Sequence, residues 1–128
     1  MKALIDTHVF LWWVLDADRL SVEGRELLGD RANDFFLSAA SAAELAIKVG
    51  QGRLTLPEPV ESYVPSRLGS EGFQSLPIEL GHALRVARLP PIHRDPFDRI
   101  LIAQAQIEDL PILTADPVIA RYDVETIW

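Results

Sequence analysis

Short apolar runs alternate along the chain with longer stretches whose apolar residues recur at helical spacing. That alternation predicts an α/β protein with a mostly parallel sheet. Residues 2–5 (KALI) read as a first strand ending at Asp6, followed by a helix over 7–15. A second helix is expected over 21–31 with Leu27 and Leu28 on its buried side, then a strand over 34–38 (DFFLS). Residues 41–49 (SAAELAIKV) are helical and are stopped by Gly50 and Gly52. The next segment is broken by Pro57, Pro59 and Pro65, with a helix placed over 59–68. A strand over 73–78 precedes a helix over 79–88 that should turn Leu80, Leu84 and Ala87 inward. Residues 96–108 (PFDRILIAQAQIE) form a helix apolar enough to lie against the sheet. A strand over 112–114, a short helix over 117–121 and a last strand over 124–127 complete the pattern. No repeat, low-complexity tract or linker divides it, so residues 1–128 are expected to fold as a single domain.

With 128 residues the chain is long enough to bury a core without staples, and it contains no cysteine, which removes disulfides, thiolate metal sites and a thiol nucleophile. Neither a cleavable leader nor an apolar run of about 18 residues is present, so a soluble, cytoplasmic protein is expected. The formal net charge of −7 argues against binding nucleic acid through a simple basic face. The balance reads differently if several carboxylates are gathered to hold divalent cations, because the cations then receive the phosphates.

Four acids stand out by position. Asp6 ends the first strand and Asp116 follows the strand at 112–114. Ligands of open parallel sheets bind outside the carboxyl ends of the strands, so both should face one edge. Glu44 and Asp98 fall in the first turns of helices that can face the same edge. Each acid also has a purely structural explanation. Asp6 can cap the helix after it, and Ser41 with Glu44 forms an S-x-x-E capping box. Asp95-Pro96-Phe97-Asp98 reads as an N-cap, a proline at the first helical position and a favourable first-turn acid, and Asp116-Pro117 has the same form.

Capping does not require convergence, whereas a shared cleft would. Two carboxylates about 4 Å apart repel by about 4 kcal/mol at an effective dielectric of about 20, so a fold that gathers four of them calls for a cation. An all-oxygen ligand set without cysteine points to Mg²⁺ or Mn²⁺ rather than zinc. Such ions serve phosphodiester hydrolysis by activating water and stabilising charge on the phosphoryl oxygens.

The segments LIDTHVFLW, SAASAAELAIKVGQGRL, HRDPFDRILIAQAQ and LPILTADPVIARYDVETIW together resemble the PIN-domain nucleases, and within them the VapC-like toxins of bacterial toxin–antitoxin pairs. They span almost the whole chain in the expected order. The resemblance implies a three-layer PIN-like fold with a mostly parallel central sheet flanked by helices. It implies Mg²⁺-dependent (or Mn²⁺-dependent) endoribonuclease activity on RNA, a cognate antitoxin and a homodimer. It places the family's acids on Asp6, Glu44, Asp98 and Asp116, with Asp6 and Asp98 as the direct metal ligands and Thr7 and Thr114 as neighbouring hydroxyls.

Arg94 and Arg99 border Asp98 and are candidate substrate contacts through phosphate; Arg121 follows Asp116. His8 and His93 flank the acids, but hard oxygen-ligated cations do not favour imidazole, so neither is read as a ligand. Trp12 and Trp13 are adjacent, so one helix face cannot bury both. One is expected in the core and the other is a candidate for a dimer or antitoxin surface, with partial burial as the plain alternative. No phosphate-binding glycine loop, dinucleotide fingerprint or serine-hydrolase elbow occurs. A structure-specific DNA nuclease or phosphatase using the same acids, and a catalytically silent PIN-like binding module, are the competing functions. Retention of all four acids speaks against the silent module.

Overall fold

The computed structural model describes residues 1–128. The chain runs β1 (Lys2–Ile5), α1 (Thr7–Leu15), α2 (Val22–Gly29), β2 (Asp34–Ser38), α3 (Ala39–Gly50), α4 (Val60–Glu71), β3 (Gln74–Leu76), α5 (Leu80–Arg85), α6 (Pro96–Glu108), β4 (Ile112–Leu113) and β5 (Thr126–Ile127). Single 3₁₀ turns occupy Ala17–Arg19, Val86–Arg88 and Ile119–Arg121, the last where a short helix over 117–121 is expected from sequence. The strands form one sheet in the order β3-β2-β1-β4-β5, every pair parallel. From β1 the chain builds outward to β2 and β3, then returns to add β4 and β5 on the other side. The strand order therefore reverses between β1 and β4, the point where such sheets leave a crevice.

Strand β1 is the centre of the molecule. Alternate side chains of a strand point to opposite faces, and here both faces are covered. Ala3 and Ile5 join Phe35, Leu37 and Leu113 under Val9 and Phe10 of α1, Leu45 of α3 and Val64 of α4. On the reverse face Leu4 and Ile112 pack with Leu101, Ile102 and Ala105 of α6, together with Leu89, Ile119 and Tyr122. This double burial explains why KALI reads as a continuous apolar run, as strands of covered parallel sheets do. No helix is long and apolar enough to cross a membrane.

Three local expectations are corrected. The α5 helix turns Leu80 and Leu84 to solvent, at 75% and 66% exposure, and Ala87 is exposed as well. His82 is its buried residue, with Nδ1 accepting from the Glu79 N–H. Six residues make too few turns for apolar spacing to select a face. The α3 helix begins earlier than its apolar spacing predicts. Ser38 is its cap, accepting from the Ala40 N–H, so Ser41 lies inside the helix and the Ser41–Glu44 capping box does not form. Neither adjacent tryptophan is wholly in the core. Trp12 packs beside Trp128 and under the Arg19 guanidinium, and Trp13 donates from Nε1 to Glu71 Oε2 at 3.0 Å. Leu28 is buried and Leu27 partly so, as their spacing predicts.

One buried polar side chain ties α6 to the sheet. Gln104 is fully buried; its Oε1 accepts from the Ser38 hydroxyl at the end of β2, and its Nε2 donates to the Pro77 carbonyl at 3.1 Å. Leaving a buried donor or acceptor unpaired costs about 1–3 kcal/mol. Gln104→Met, which conserves length and removes both bonds, is expected to lower stability by roughly 2–4 kcal/mol in urea unfolding. An unchanged unfolding midpoint would show that the bridge contributes nothing.

Candidate active site

The crevice at the carboxyl ends of β1 and β4 receives Asp6 and Asp116. Asp6 is only 3% exposed, although it directly follows a fully apolar strand. Its backbone has the extended conformation of an N-cap to α1, but its side chain makes no capping bond. Instead Oδ2 accepts from the Thr114 hydroxyl at 2.7 Å. Thr114 Oγ1 in turn accepts from the Asp116 N–H at 3.0 Å, and Asp116 Oδ1 accepts from the Val118 N–H at 2.9 Å. The end of β4 and the turn beyond it are thus clipped to the carboxylate at the end of β1.

Glu44 reaches the same edge from α3. It is 7% exposed, and its Oε2 lies 2.9 Å from Lys48 Nζ one turn later. Beside it Ser41 Oγ accepts from the Thr7 hydroxyl at 2.8 Å, which fastens α3 to the start of α1. Asp98 comes from the first turn of α6, whose cap is Asp95: one Asp95 oxygen accepts from the N–H groups of both Phe97 and Asp98. Capping is therefore done by Asp95, and the Asp98 carboxylate is left for other contacts.

Asp98 is oriented by the imidazole of His93. His93 Nε2 lies 3.1 Å from Asp98 Oδ2, and His93 Nδ1 lies 2.7 Å from the Tyr122 hydroxyl. That hydroxyl oxygen already receives N–H groups from Arg99 Nη1 at 3.0 Å and from the His93 backbone at 3.2 Å. With both lone pairs filled, its own hydrogen goes to Nδ1, so Nε2 carries the imidazole proton and donates it to Asp98. One oxygen of Asp98 is thereby held and the other left free.

Electrostatics link the four acids. Burial pushes the Asp6 carboxyl above the ordinary carboxylate range; the Thr114 hydrogen bond and His8 oppose this, and the charges of Asp116 and Glu44 add to the rise. Asp98 is pushed up to about 6, first by burial and then by the charges of Asp95 and Asp6, against the hydrogen bond to His93. Glu44 has a cationic neighbour in Lys48, whereas Asp6 has only hydroxyl support at bonding distance. No three carboxylates or imidazoles stand close enough to enclose an ion unaided. An open set of oxygen donors with unrelieved charge fits a hard divalent cation that keeps several waters and takes one or two protein carboxylates.

Of the other residues singled out from sequence, Thr7 and Thr114 are buried and donate within the site, so they orient neighbours rather than offering free hydroxyls to a substrate. Arg99, expected to meet phosphate, instead turns its guanidinium to Tyr122 and to the carbonyls of Pro90, His93, Val86 and Leu89. It braces the loop before α6. Arg94 is exposed and makes no ion pair or hydrogen bond through its side chain. His93, read as flanking the acids, orients Asp98, and Ser41, read as a cap, bonds to Thr7. Tyr122 and Lys48 are neighbours of the site that the sequence does not single out. Only Lys48 left a signal, the Glu–Lys pair at a spacing of four; the five-residue step from His93 to Asp98 crosses a loop and has no helical meaning.

A family model described as "PIN domain" matches residues 3–125. Ribonuclease VapC22 of Mycobacterium tuberculosis is 30% identical over 114 residues, 88% of this chain and 85% of that protein. Ribonuclease VapC16 of the same organism is 43% identical over 68 residues, 53% of this chain and 48% of that protein, so the match spans about half its length. Among solved structures, VapBC2 of Rickettsia felis, bound to a DNA fragment from its promoter, superposes with a TM-score of 0.75 at 15% identity, covering 99% of this chain and 98% of that one. FitAcB of Neisseria gonorrhoeae gives a TM-score of 0.60 at 23% identity, covering 100% and 97%. At these identities the structures establish the fold.

The raised Asp98 carboxyl has a consequence for stability. The folded protein takes up this proton near pH 6 and the unfolded chain near the ordinary value of 3.8. Between those values folding stability falls as pH rises, because the ionised group is less welcome in the fold. Without metal, Asp98→Asn is expected to be more stable than wild type at pH 7.5, with the gain shrinking toward pH 4. Urea midpoints at the two pH values test this, and a gain independent of pH would contradict it.

Proposed function

The chain belongs to the PIN-domain family, and we propose on that premise that it is a divalent-metal-dependent endoribonuclease, the toxin of a toxin–antitoxin pair. The observation that carries this reading is the meeting of Asp6 and Asp116 at the β1/β4 reversal, with the charge of Glu44 acting on the buried Asp6 and that of Asp6 acting on Asp98. Relatives named as ribonucleases support the choice of reaction.

Asp6 and Asp98 are the residues we assign to direct contact with Mg²⁺ or Mn²⁺, with Glu44 and Asp116 acting from the periphery. When bound there, such a cation neutralises charge on the phosphoryl oxygens and makes a water more acidic. The remaining work falls to the protein. Thr114 and His93 hold one oxygen of Asp6 and one of Asp98, so each carboxylate presents its other oxygen in a defined direction. Holding reacting groups in place lowers the entropic part of the barrier. Lys48 pairs with Glu44 at 2.9 Å and so offsets its repulsion of Asp6. The reading includes a cytoplasmic protein that forms a homodimer and a cognate antitoxin that covers the acids. A cleft of this charge invites an Arg or Lys from that antitoxin.

Two measurements test the proposal. Mg²⁺ or Mn²⁺ at one hundred times its dissociation constant should stabilise the fold by about 2.7 kcal/mol. A thermal midpoint indifferent to millimolar Mn²⁺ and to EDTA would count against a metal site.

The amide series Asp6→Asn, Asp98→Asn and Asp116→Asn keeps every hydrogen bond described above and removes one charge each. All three should fold and be at least as stable as wild type without metal. Glu44→Gln should lose some stability because Lys48 is left unpaired. All four should lose most RNA cleavage, roughly a hundredfold or more for the two direct ligands, the scale on which single electrostatic groups act in catalysis. The control Asp30→Asn alters an exposed turn in which Asp30 Oδ1 accepts from the Ala32 N–H, and should retain full activity. Cleavage at the wild-type rate by Asp6→Asn or Asp98→Asn would sink the assignment.

A further inference from the structure

Beside the acids lies a cleft of about 490 Å³, walled by Glu44 and Lys48 of α3, by Gln51 and Arg53 just after it, by Arg94 and Asp95 just before α6, and by Phe97 in its first turn. Glu44 belongs to both places: its charge acts on Asp6, and it forms the near wall of the cleft. We propose that this cleft holds the single-stranded RNA next to the scissile bond, with Arg53 and Arg94 gripping a flanking phosphate. The inference rests on the ribonuclease reading and adds to it a path for the strand and two phosphate-binding residues.

The charges decide the occupant. In a chain of net charge −7, cations gathered in one hollow are the exception. Lys48 is occupied by Glu44, and the Asp95 carboxylate on the α6 wall accepts from the N–H groups of Phe97 and Asp98. Arg53 and Arg94 remain, both exposed, and neither makes an ion pair or a side-chain hydrogen bond within the chain. Two free guanidiniums present planar forks that match phosphate oxygens. Phe97 is half-buried at the same wall and offers a ring edge or face on which a base can rest. A strand bound with one phosphate at Asp6 and Asp98 must leave the crevice, and the route past Glu44 meets these donors first. A divalent cation deals with the scissile phosphate at the acids; the arginines deal with the next one, where Glu44 already pairs with Lys48 and Asp95 caps α6.

The test is binding of a fluorescein-labelled twelve-nucleotide RNA to the protein in EDTA, followed by anisotropy across a salt series, together with steady-state cleavage in Mg²⁺. The double variant Arg53→Gln, Arg94→Gln should bind about tenfold more weakly or worse. Its plot of log affinity against log salt should be shallower by about 0.7, the contribution of one phosphate no longer neutralised on a single strand. In cleavage KM should rise with kcat held. Lys2→Gln removes a cation from the far end of β1 and should change neither reading. Cleavage by wild type with unaltered binding, salt slope and KM in the double variant overturns this inference and leaves the ribonuclease reading standing. An equal loss of poly-glutamate binding in the double variant would make the cleft a site for acidic polypeptide, and also overturns it. Wild-type protein that neither binds nor cleaves RNA removes the ribonuclease reading and this one together.

Discussion

The residue after β1 cannot avoid the crevice. Ala3, Leu4 and Ile5 are each fully buried between two layers of helix, with β2 and β4 bonded on either side. A strand enclosed in this way leaves its own end no freedom, so Asp6 is placed where the strand order reverses. Burying an ionisable carboxylate there costs energy unless partners stabilise it. Most of what is distinctive around the site follows from that cost: the Thr114 hydroxyl aimed at Oδ2, the clip through Asp116, and the distribution of nearby charge.

Each acid meets its charge in a different way. Glu44 has a lysine, Asp98 an imidazole N–H, Asp6 a hydroxyl, and Asp116 a backbone N–H. None of these partners blocks both oxygens of its carboxylate. The site is consequently ordered while still holding unrelieved negative charge. Order of this kind is expensive in a mobile loop, and here it is supplied by rigid elements: two strand ends, the middle of α3 and the first turn of α6.

The loop that leads into α6 shows how such rigidity is made. Arg99 gathers the carbonyls of Val86, Leu89, Pro90 and His93 and also donates to Tyr122, so a segment without regular structure becomes a fixed support. Tyr122 passes that order to His93, and His93 to Asp98. An arginine beside a candidate site acid invites a substrate role. Its partners show that it holds the frame, while its neighbour Arg94 stands free.

The sequence alone determined the α/β class, every strand, and the places of Asp6, Asp98 and Asp116, because these depend on local periodicity and on which residues end a strand or open a helix. Glu44, expected in a first turn, lies in the middle of α3 because that helix starts at Ala39. KALI followed by Asp6, and IL followed by Thr114 and Asp116, already place carboxylates beyond strand ends. The tertiary structure alone decided matters of facing and partnership. It turned Leu80 and Leu84 outward on a helix too short to declare a face, moved the α3 cap from Ser41 to Ser38, and directed Arg99 inward. It also brought Thr114 to Asp6 across 108 residues and Tyr122 to His93 across 29. Those contacts join different elements, and their geometry follows from how the sheet stacks its helices, which no spacing along the chain encodes.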